Sequence, residues 1–215
     1  PYLRHRGIRA IDVLAASHDD DDHKGGAASV LGLLPVRSLV TGPGVPAGAF
    51  GPGAPPRTHC RRGQRWDWDG VGFEWQHPGP ERHERDNDGS CVLAVRAGGR
   101  SVLIAGDIEA GAEAQWVAAH PGGSVDVVVA PHHGSRTSST APFVATTRPA
   151  WVVYAVGHRN RWNFPVRSVT ERWQAVGARS LATSSSGAVT FELGPDAGLV
   201  PGEWRRETPR PWRDP

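Results

Sequence analysis

The sequence predicts an α/β protein on the strength of two patterns. Residues 11–42 carry a short apolar strand, a polar loop, a helix and a second strand, and this order is typical of α/β architecture. Residues 64–106 then carry four consecutive segments of strand character, with a hairpin signal at Asp69-Gly70. A chain of 215 residues is long enough to bury a substantial core within one domain.

Each predicted element follows from its local pattern. Short apolar runs bounded by turn residues predict strands, and apolar residues at helical spacing predict helices. The predicted strands are 11–17, 36–42, 64–70, 71–77, 90–98, 101–106, 125–131, 150–156 and 187–193. The predicted helices are 25–34, 109–120, 141–147 and 166–177. We expect residues 42–56, rich in Gly and Pro, to be an irregular connection, residues 1–194 to form the domain, and the Pro/Arg-rich residues 195–215 to be an irregular tail.

Composition bounds the function only loosely. The formal net charge of +2 is too small to indicate nucleic-acid binding by itself. No apolar run approaches the roughly 20 residues that cross a bilayer, so we expect a soluble piece without membrane insertion or a signal peptide. The sequence contains no methionine, which indicates a fragment, a processed product or an artificial boundary. The two cysteines, Cys60 and Cys91, are compatible either with one disulfide bond or with two buried thiols.

The stretch SHDDDDHKGG, residues 17–26, places four consecutive aspartates between two histidines. Adjacent carboxylates repel one another, so the run is either a solvated acidic turn or a site for cations. Two further predicted strands also end in metal-ligand residues, one in Asp107 and the other in His132 and His133. Strand ends of α/β sheets are where sites assemble, and imidazole with carboxylate is the composition of a metal site.

The spacing within the acidic run suits two neighbouring cations. His18 and Asp20 are alternate residues that can point the same way, whereas the adjacent Asp22 and His23 diverge. Asp107 could bridge the two ions. Taken singly, these motifs have ordinary explanations: an acidic run is usually solvated surface, and HHGS could be a helix-capping turn closed by Ser135. Their joint occurrence after three strands favours a metal site.

The pattern H-x-D-x-D-H followed by Gly-Gly resembles the signature of the metallo-β-lactamase superfamily. Together with NDGSCVL, LIAGDIEAGAE, PHHGSRTSS and NRWNFP, it resembles the C-terminal domain of the competence family of DNA-internalisation proteins (ComEC type), over residues 1–193. The resemblance implies a four-layer αββα sandwich and two divalent metal ions, Zn²⁺ or Mn²⁺. It also implies an extracytoplasmic soluble domain of an inner-membrane protein, beside the DNA channel formed by the same polypeptide.

Transferred to this sequence, the resemblance implies a ligand set. His18 and Asp20 would bind the first metal and Asp22 and His23 the second, with Asp107 bridging and either His132 or His133 completing the site. Two positions depart from the family pattern, because Asn87 and Phe164 stand where many relatives carry histidine. The family's fold also opens with strands that carry a D-x-G element, and we expect the sandwich formed by this sequence to lack them. We therefore expect an exposed strand edge, and a lower thermal stability than that of a chain including those strands.

The leading hypothesis is metal-dependent hydrolysis of a phosphodiester in single- or double-stranded DNA, degrading the strand that is not imported. Two cations would activate a water that Asp22 orients, with Asp22 and Asp107 as the catalytic residues. The candidate substrate contacts are Asn87, Gly134, Ser135, Arg136, Arg159, Asn160 and Trp162. One alternative is a catalytically impaired DNA-binding or gating module. Another is a superfamily hydrolase that acts on a lactam, a thioester or a cyclic nucleotide.

Overall fold

The computed structural model describes residues 2–81, 86–194 and 198–209. Within them, two β-sheets form the centre of the molecule. The smaller sheet contains three parallel strands in the order β1-β2-β3: β1 (Ile11–Ala16), β2 (Val36–Thr41) and β3 (Arg57–His59). In this part of the chain β1 pairs only with β2, and it therefore lies at an edge of the sheet.

The larger sheet has seven strands in the order β10-β9-β8-β7-β6-β5-β4. Strands β4 to β7 are antiparallel, and β7 to β10 are parallel. The strands are β4 (Arg65–Trp68), β5 (Val71–His77), β6 (Val92–Ala97), β7 (Arg100–Ile104), β8 (Val127–Val129), β9 (Trp151–Tyr154) and β10 (Arg179–Ala182). The consecutive antiparallel strands are those predicted from residues 64–106.

Helices cover the outer faces of both sheets. The helices are α1 (Tyr2–His5), α2 (Asp21–Lys24), α3 (Ala27–Leu33), α4 (Ala110–Ala119), α5 (Ala141–Thr147), α6 (Arg167–Ala175), α7 (Thr183–Ser186) and α8 (Trp204–Glu207). On the larger sheet, Trp116, Phe143 and Trp173 pack into one core with Leu103 and Val152. None of the helices in the described part combines the length and apolarity that crossing a bilayer requires.

A separate core joins α3 to the smaller sheet through Ala27, Ala16 and Leu39. The two sheets meet at a third cluster, in which a disulfide bond between Cys60 and Cys91 packs against Trp75. The layers therefore run helix, sheet, sheet, helix, which is the αββα sandwich that the resemblance implies. The disulfide bond also decides between the two readings of the cysteines.

Three predictions about elements were wrong in part. The predicted helix 25–34 begins at Ala27, and part of the acidic run forms the separate short helix α2. The predicted strand 187–193 is reduced to β11 (Val189–Thr190), which pairs with β12 (Gly202–Glu203).

The tail is consequently not irregular throughout. Strand β12 and helix α8 are held to the domain, since Ser186 donates to the Glu203 carboxylate at 2.6 Å. Residues 195–197 and 210–215 of the predicted tail lie outside the described residues.

Candidate metal centre

The four candidate histidines converge on the carboxylate of Asp107. Its Oδ1 lies 3.1 Å from His23 Nε2, and its Oδ2 lies 3.4 Å from His133 Nε2. The Nε2 atoms of His18 and His132 are each 3.9 Å from Oδ2. Asp107 follows β7, while the histidines follow β1 and β8, so the three predicted strand ends do meet at one edge of the fold.

The acidic run divides into two pairs. Asp19 and Asp21 turn toward Lys24, whose Nζ lies 2.6 Å and 3.9 Å from their carboxylates. Asp20 and Asp22 turn toward the centre instead. Asp20 Oδ2 is 3.3 Å from His18 Nε2, and Asp22 Oδ2 is 3.3 Å from His133 Nε2. Only half of the run therefore contributes carboxylates to the centre, and the other half is neutralised by an ordinary ion pair.

Three overlapping groups of side chains have ligand atoms close enough to share a cation. In each group the ligand atoms all lie within 4.8 Å of one another. The groups are His18, His23 and Asp107; Asp22, His23 and His133; and His18, Asp20 and Asp86. His23 and His18 each belong to two groups, which is the arrangement expected where neighbouring cations share one site.

Asp86 is a site residue that the sequence reasoning missed. It lies one position before Asn87, where the family pattern places a histidine. The backbone N–H of Asp19 donates to Asp86 Oδ2 at 2.8 Å, which ties this turn to the acidic loop. Asn87 itself is half-buried in the turn and does not line the cavity described below. The substrate contact of Asn87 therefore stays a prediction, while Asp86 offers a carboxylate close to His18 and Asp20.

Two further residues that orient the imidazoles were missed. Ser17 Oγ lies 3.0 Å from Nδ1 of both His18 and His23, which leaves both Nε2 atoms directed to the centre. Glu109 Oε1 lies 3.2 Å from Nδ1 of His132. A hydrogen bond on the far nitrogen fixes the ring orientation of a metal-ligating histidine. Ser17 could have been found from its position beside His18, whereas Glu109 is distant in sequence from His132 and gave no local signal.

The backbone brings the three loops into contact behind these side chains. The N–H of Cys91 donates to the carbonyl of Ser17 at 3.0 Å, and the N–H of Asp107 donates to Ser90 Oγ at 3.2 Å. Gly106 has a φ of +56°, and a Cβ there would lie 2.9 Å from the Cβ of Ser90. Glycine is therefore required before Asp107, because any side chain would push these loops apart.

The charges at the centre are those of a site built for cations. Burial pushes the pKa of Asp107 upward, but hydrogen bonds from His133 and His23 overcome this and hold it well below its ordinary value. Burial, followed by the neighbouring His23, lowers the pKa of His18. Burial opposes protonation of His133, yet its contact with Asp107 leaves its pKa raised.

The protein does not use the full bonding capacity of the imidazole nitrogens at the centre. His18 Nε2 is buried without a hydrogen-bond partner, and the Nε2 atoms of His23 and His133 face each other at 3.1 Å. A buried polar atom left unsatisfied carries a free-energy cost, which a bound cation would remove. The residues present therefore fit a divalent metal centre.

A cavity of about 690 Å³ opens over this centre. Its lining residues include Asp20, Asp22, His23, Asp107, His132, His133, Asn160, Trp162 and Phe164. This volume is within the usual range for ligand sites, roughly 300–1,000 Å³.

The residues of the HHGS turn that we predict as phosphate contacts lie outside the cavity lining. Gly134 and Ser135 are buried, and the Ser135 N–H donates to the His132 carbonyl at 2.8 Å. That amide therefore already has an acceptor inside the turn, and the phosphate contact stays a prediction. Arg136 and Arg159 are exposed and lie outside the lining. Asn160 lines the cavity, but its side-chain amide bonds to the backbone of Phe164.

The similarity of this sequence to known proteins agrees with a metal centre. The profile of the metallo-beta-lactamase superfamily matches residues 1–158. The chain is 39% identical over 195 residues to Competence protein ComA of Neisseria gonorrhoeae, covering 90% of this chain and 27% of that protein. It is 36% identical over 189 residues to Recombination protein 2 of Haemophilus influenzae, covering 88% and 23%. The chain thus spans about a quarter of the length of these relatives.

Solved structures share the fold at lower identity. Igni18, a metallo hydrolase from the archaeon Ignicoccus hospitalis, superposes with a TM-score of 0.51 at 15% identity, covering 88% of this chain and 78% of that one. At this identity the likeness concerns the fold alone.

Proposed function

Because this chain belongs to the metallo-beta-lactamase superfamily, whose members are generally metal-dependent hydrolases, we propose that it hydrolyses phosphodiester bonds of DNA. The observation that carries the proposal is the centre around Asp107. Four imidazoles converge on one carboxylate, and the buried His18 Nε2 has no hydrogen-bond partner, a free-energy cost that a bound cation would remove.

The groups of neighbouring ligand atoms support an assignment of two metal positions. One position would be held by His18, Asp20 and Asp86, and the other by Asp22, His23 and His133, with Asp107 between them. His133 is the better ligand of the adjacent pair, because His132 Nε2 lies farther from Asp107. Two carboxylates at the first position make it oxygen-rich, which favours Mn²⁺ as a rival to Zn²⁺.

The chain's own residues have separate tasks in this proposal. Bound divalent cations would supply Lewis acidity for a phosphate oxygen and acidify water at the site. Asp22, half-exposed at the cavity wall, accepts a hydrogen bond from the attacking water and orients it in line with the phosphorus. Glu109 keeps the ring of His132 directed to the cavity, where it can donate to the substrate.

The setting proposed is DNA uptake. One relative is named a competence protein, and the disulfide bond suits an oxidising extracytoplasmic compartment. We place the chain as a soluble domain beside the membrane channel portion of a longer polypeptide, where it would degrade the strand that is not imported. Arg159 and Arg161, which are exposed and flank the cavity-lining Asn160 in the sequence, would attract the DNA backbone.

The acidic run offers a matched pair of variants to test the activity. Asp22 lines the cavity, whereas the side chain of Asp21 is 97% exposed and faces Lys24. Asp22→Asn should reduce cleavage of a labelled oligonucleotide in Mn²⁺ by about 100-fold or more, and Asp21→Asn should leave it within about twofold. Metal content per chain is measured on the same samples.

Equal effects of the two substitutions would contradict the assignment of Asp22. If the wild-type chain binds metal and DNA but cleaves none, the alternative of a DNA-binding or gating module is correct. The edge contact between the Phe164 and His132 rings favours that alternative, because it places an apolar group where a further ligand could stand.

A further inference from the structure

Two aromatic rings form a ledge at the rim of the metal-centre cavity. Trp162 and Phe164 both line the cavity, and their rings are nearly parallel, at 14° with centroids 6.3 Å apart. Trp162 is 56% exposed, which is unusual for the largest apolar side chain. An exposed indole beside a half-buried ring presents a flat apolar surface to whatever enters the cavity.

The ledge is held in place by its own loop. The Asn160 side chain donates to the Phe164 carbonyl at 2.8 Å and accepts from the Phe164 N–H at 2.8 Å. This two-point clamp fixes the turn between the rings and the rest of the loop. A ligand that stacks on Trp162 therefore costs little conformational entropy in the protein.

The ledge is joined directly to the metal centre. The edge of the Phe164 ring contacts the imidazole of His132, with centroids 5.8 Å apart. His132 in turn faces Asp107. Trp162 is thus connected to the carboxylate at the centre through Phe164 and His132. That placement suits a strand with a phosphate at the centre and a nearby base on the ledge.

A cation accompanies the ledge. The guanidinium of Arg161 lies 4.4 Å from the centroid of the Trp162 ring, and both side chains are exposed. Within the residues that the structure describes, no carboxylate pairs with Arg161. An exposed cation–π contact is weaker than the stacking of a base on an aromatic side chain. An entering base can therefore take the place of the guanidinium, which is then free to pair with a phosphate.

We infer that Trp162 stacks on an unpaired nucleobase of the substrate, so that the site acts on single-stranded DNA in preference to duplex. In a duplex both faces of each base are covered by neighbouring bases, and no face is available to the ledge. In a single strand the bases can unstack and lie on aromatic side chains. This inference rests on the proposed phosphodiesterase activity and specifies its substrate class.

The experiment compares three labelled substrates with the full chain in Mn²⁺: a single strand, the matching duplex, and a single strand with abasic sites throughout. The wild-type chain should have the highest kcat/KM on the base-bearing single strand. Trp162→Ala should lower that value by about 5- to 150-fold and change cleavage of the abasic strand less than about twofold. Trp162→Phe should restore most of the difference.

Trp68→Ala is the matched control, because Trp68 is 47% exposed but does not line the cavity. It should leave all three substrates unchanged. Equal losses on the base-bearing and abasic strands in Trp162→Ala would overturn the inference, since the residue would then act on the fold or on the phosphate.

A binding assay distinguishes failure of the proposed activity from failure of the stacking inference. Fluorescence anisotropy measures binding of the same single strands without cleavage. If no substrate is cleaved, yet the wild-type chain prefers the base-bearing strand and Trp162→Ala abolishes the preference, stacking stands and the catalytic proposal falls. If cleavage occurs with no preference for bases in either assay, the stacking inference is wrong and the catalytic proposal stands.

Discussion

Asp107 and Glu113 are two carboxylates in one short segment, yet their surroundings are opposite. Both are buried, with 3% and 0% of their surface exposed. Asp107 lies among imidazole nitrogens at the edge of the sheet. Glu113, on α4, accepts hydrogen bonds from the backbone N–H groups of Ser139 and Thr140, at 2.5 Å and 2.7 Å. It thereby holds the chain at the start of α5.

The comparison separates a functional carboxylate from a structural one. Burial raises the pKa of both groups, and for Glu113 the bonds from Thr140 and Ser139 do not overcome it, so its pKa stays raised. At Asp107 the hydrogen bonds from His133 and His23 outweigh burial, and the pKa is lowered. The backbone donors around Glu113 are satisfied, whereas His18 Nε2 near Asp107 has no hydrogen-bond partner. The difference lies in the donors: Asp107 faces imidazole nitrogens that can bind a cation, whereas Glu113 faces backbone N–H groups that cannot.

The largest effect is expected when each of the two carboxylates is replaced by its isosteric amide. Asp107→Asn should lower the cleavage rate by about 1,000-fold, or about 4 kcal/mol of activation free energy, because it removes the shared anionic ligand. Glu113→Gln should leave cleavage per folded molecule within about threefold. Metal binding followed by isothermal titration calorimetry should show the same ranking. Similar losses from both substitutions would mean that the two carboxylates do not differ in role.

The sequence predicted the residues around Asp107 better than it predicted the structural role of Glu113. Asp107, His18 and His23 were identified because each follows an apolar strand, and strand ends converge at one edge of a sheet. Asp86 escaped because it follows a turn, and its position depends on a bond to the distant Asp19 backbone. Glu113 gave no signal, because a glutamate in a helix is normally exposed.

The errors have a common physical cause. Backbone amides that look available in a sequence are often used locally, as the Ser135 N–H is used by the His132 carbonyl. The strands β3 and β10 contain few apolar residues, so their own composition does not predict them, and they form by pairing with β2 and β9. Strongly apolar segments such as β9 and helices with clear spacing such as α6 were therefore predicted, and elements that depend on a partner were not.

A second test concerns the support behind Asp107. The disulfide bond joins Cys60 to Cys91 across a separation of 31 residues, and the neighbouring Ser90 holds the Asp107 N–H. Replacing both cysteines with alanine should lower the free energy of unfolding by about 3–4 kcal/mol, because the unfolded chain is no longer cross-linked. Urea unfolding followed by circular dichroism measures this. The reduced wild-type chain is the control and should match the double variant, while a loss under about 1 kcal/mol would refute the estimate.

The smallest expected effect is a pH dependence of the stability that Glu113 contributes. Since the folded-state pKa of Glu113 is raised above its ordinary value of 4.5, the folded chain binds this proton more tightly than the unfolded chain does. Its contribution to stability is therefore complete below about pH 4.5 and is lost as the pH rises through the folded-state pKa, by about 1.4 kcal/mol for each pH unit separating the two values. The difference in unfolding free energy between wild type and Glu113→Gln, measured by urea unfolding at several pH values, should fall as pH rises.

Glu171→Gln, on the exposed face of α6, is the matched control for losing one carboxylate. A difference that rises with pH would show that hydrogen bonds from the two backbone N–H groups outweigh burial, and Glu113 would then resemble Asp107.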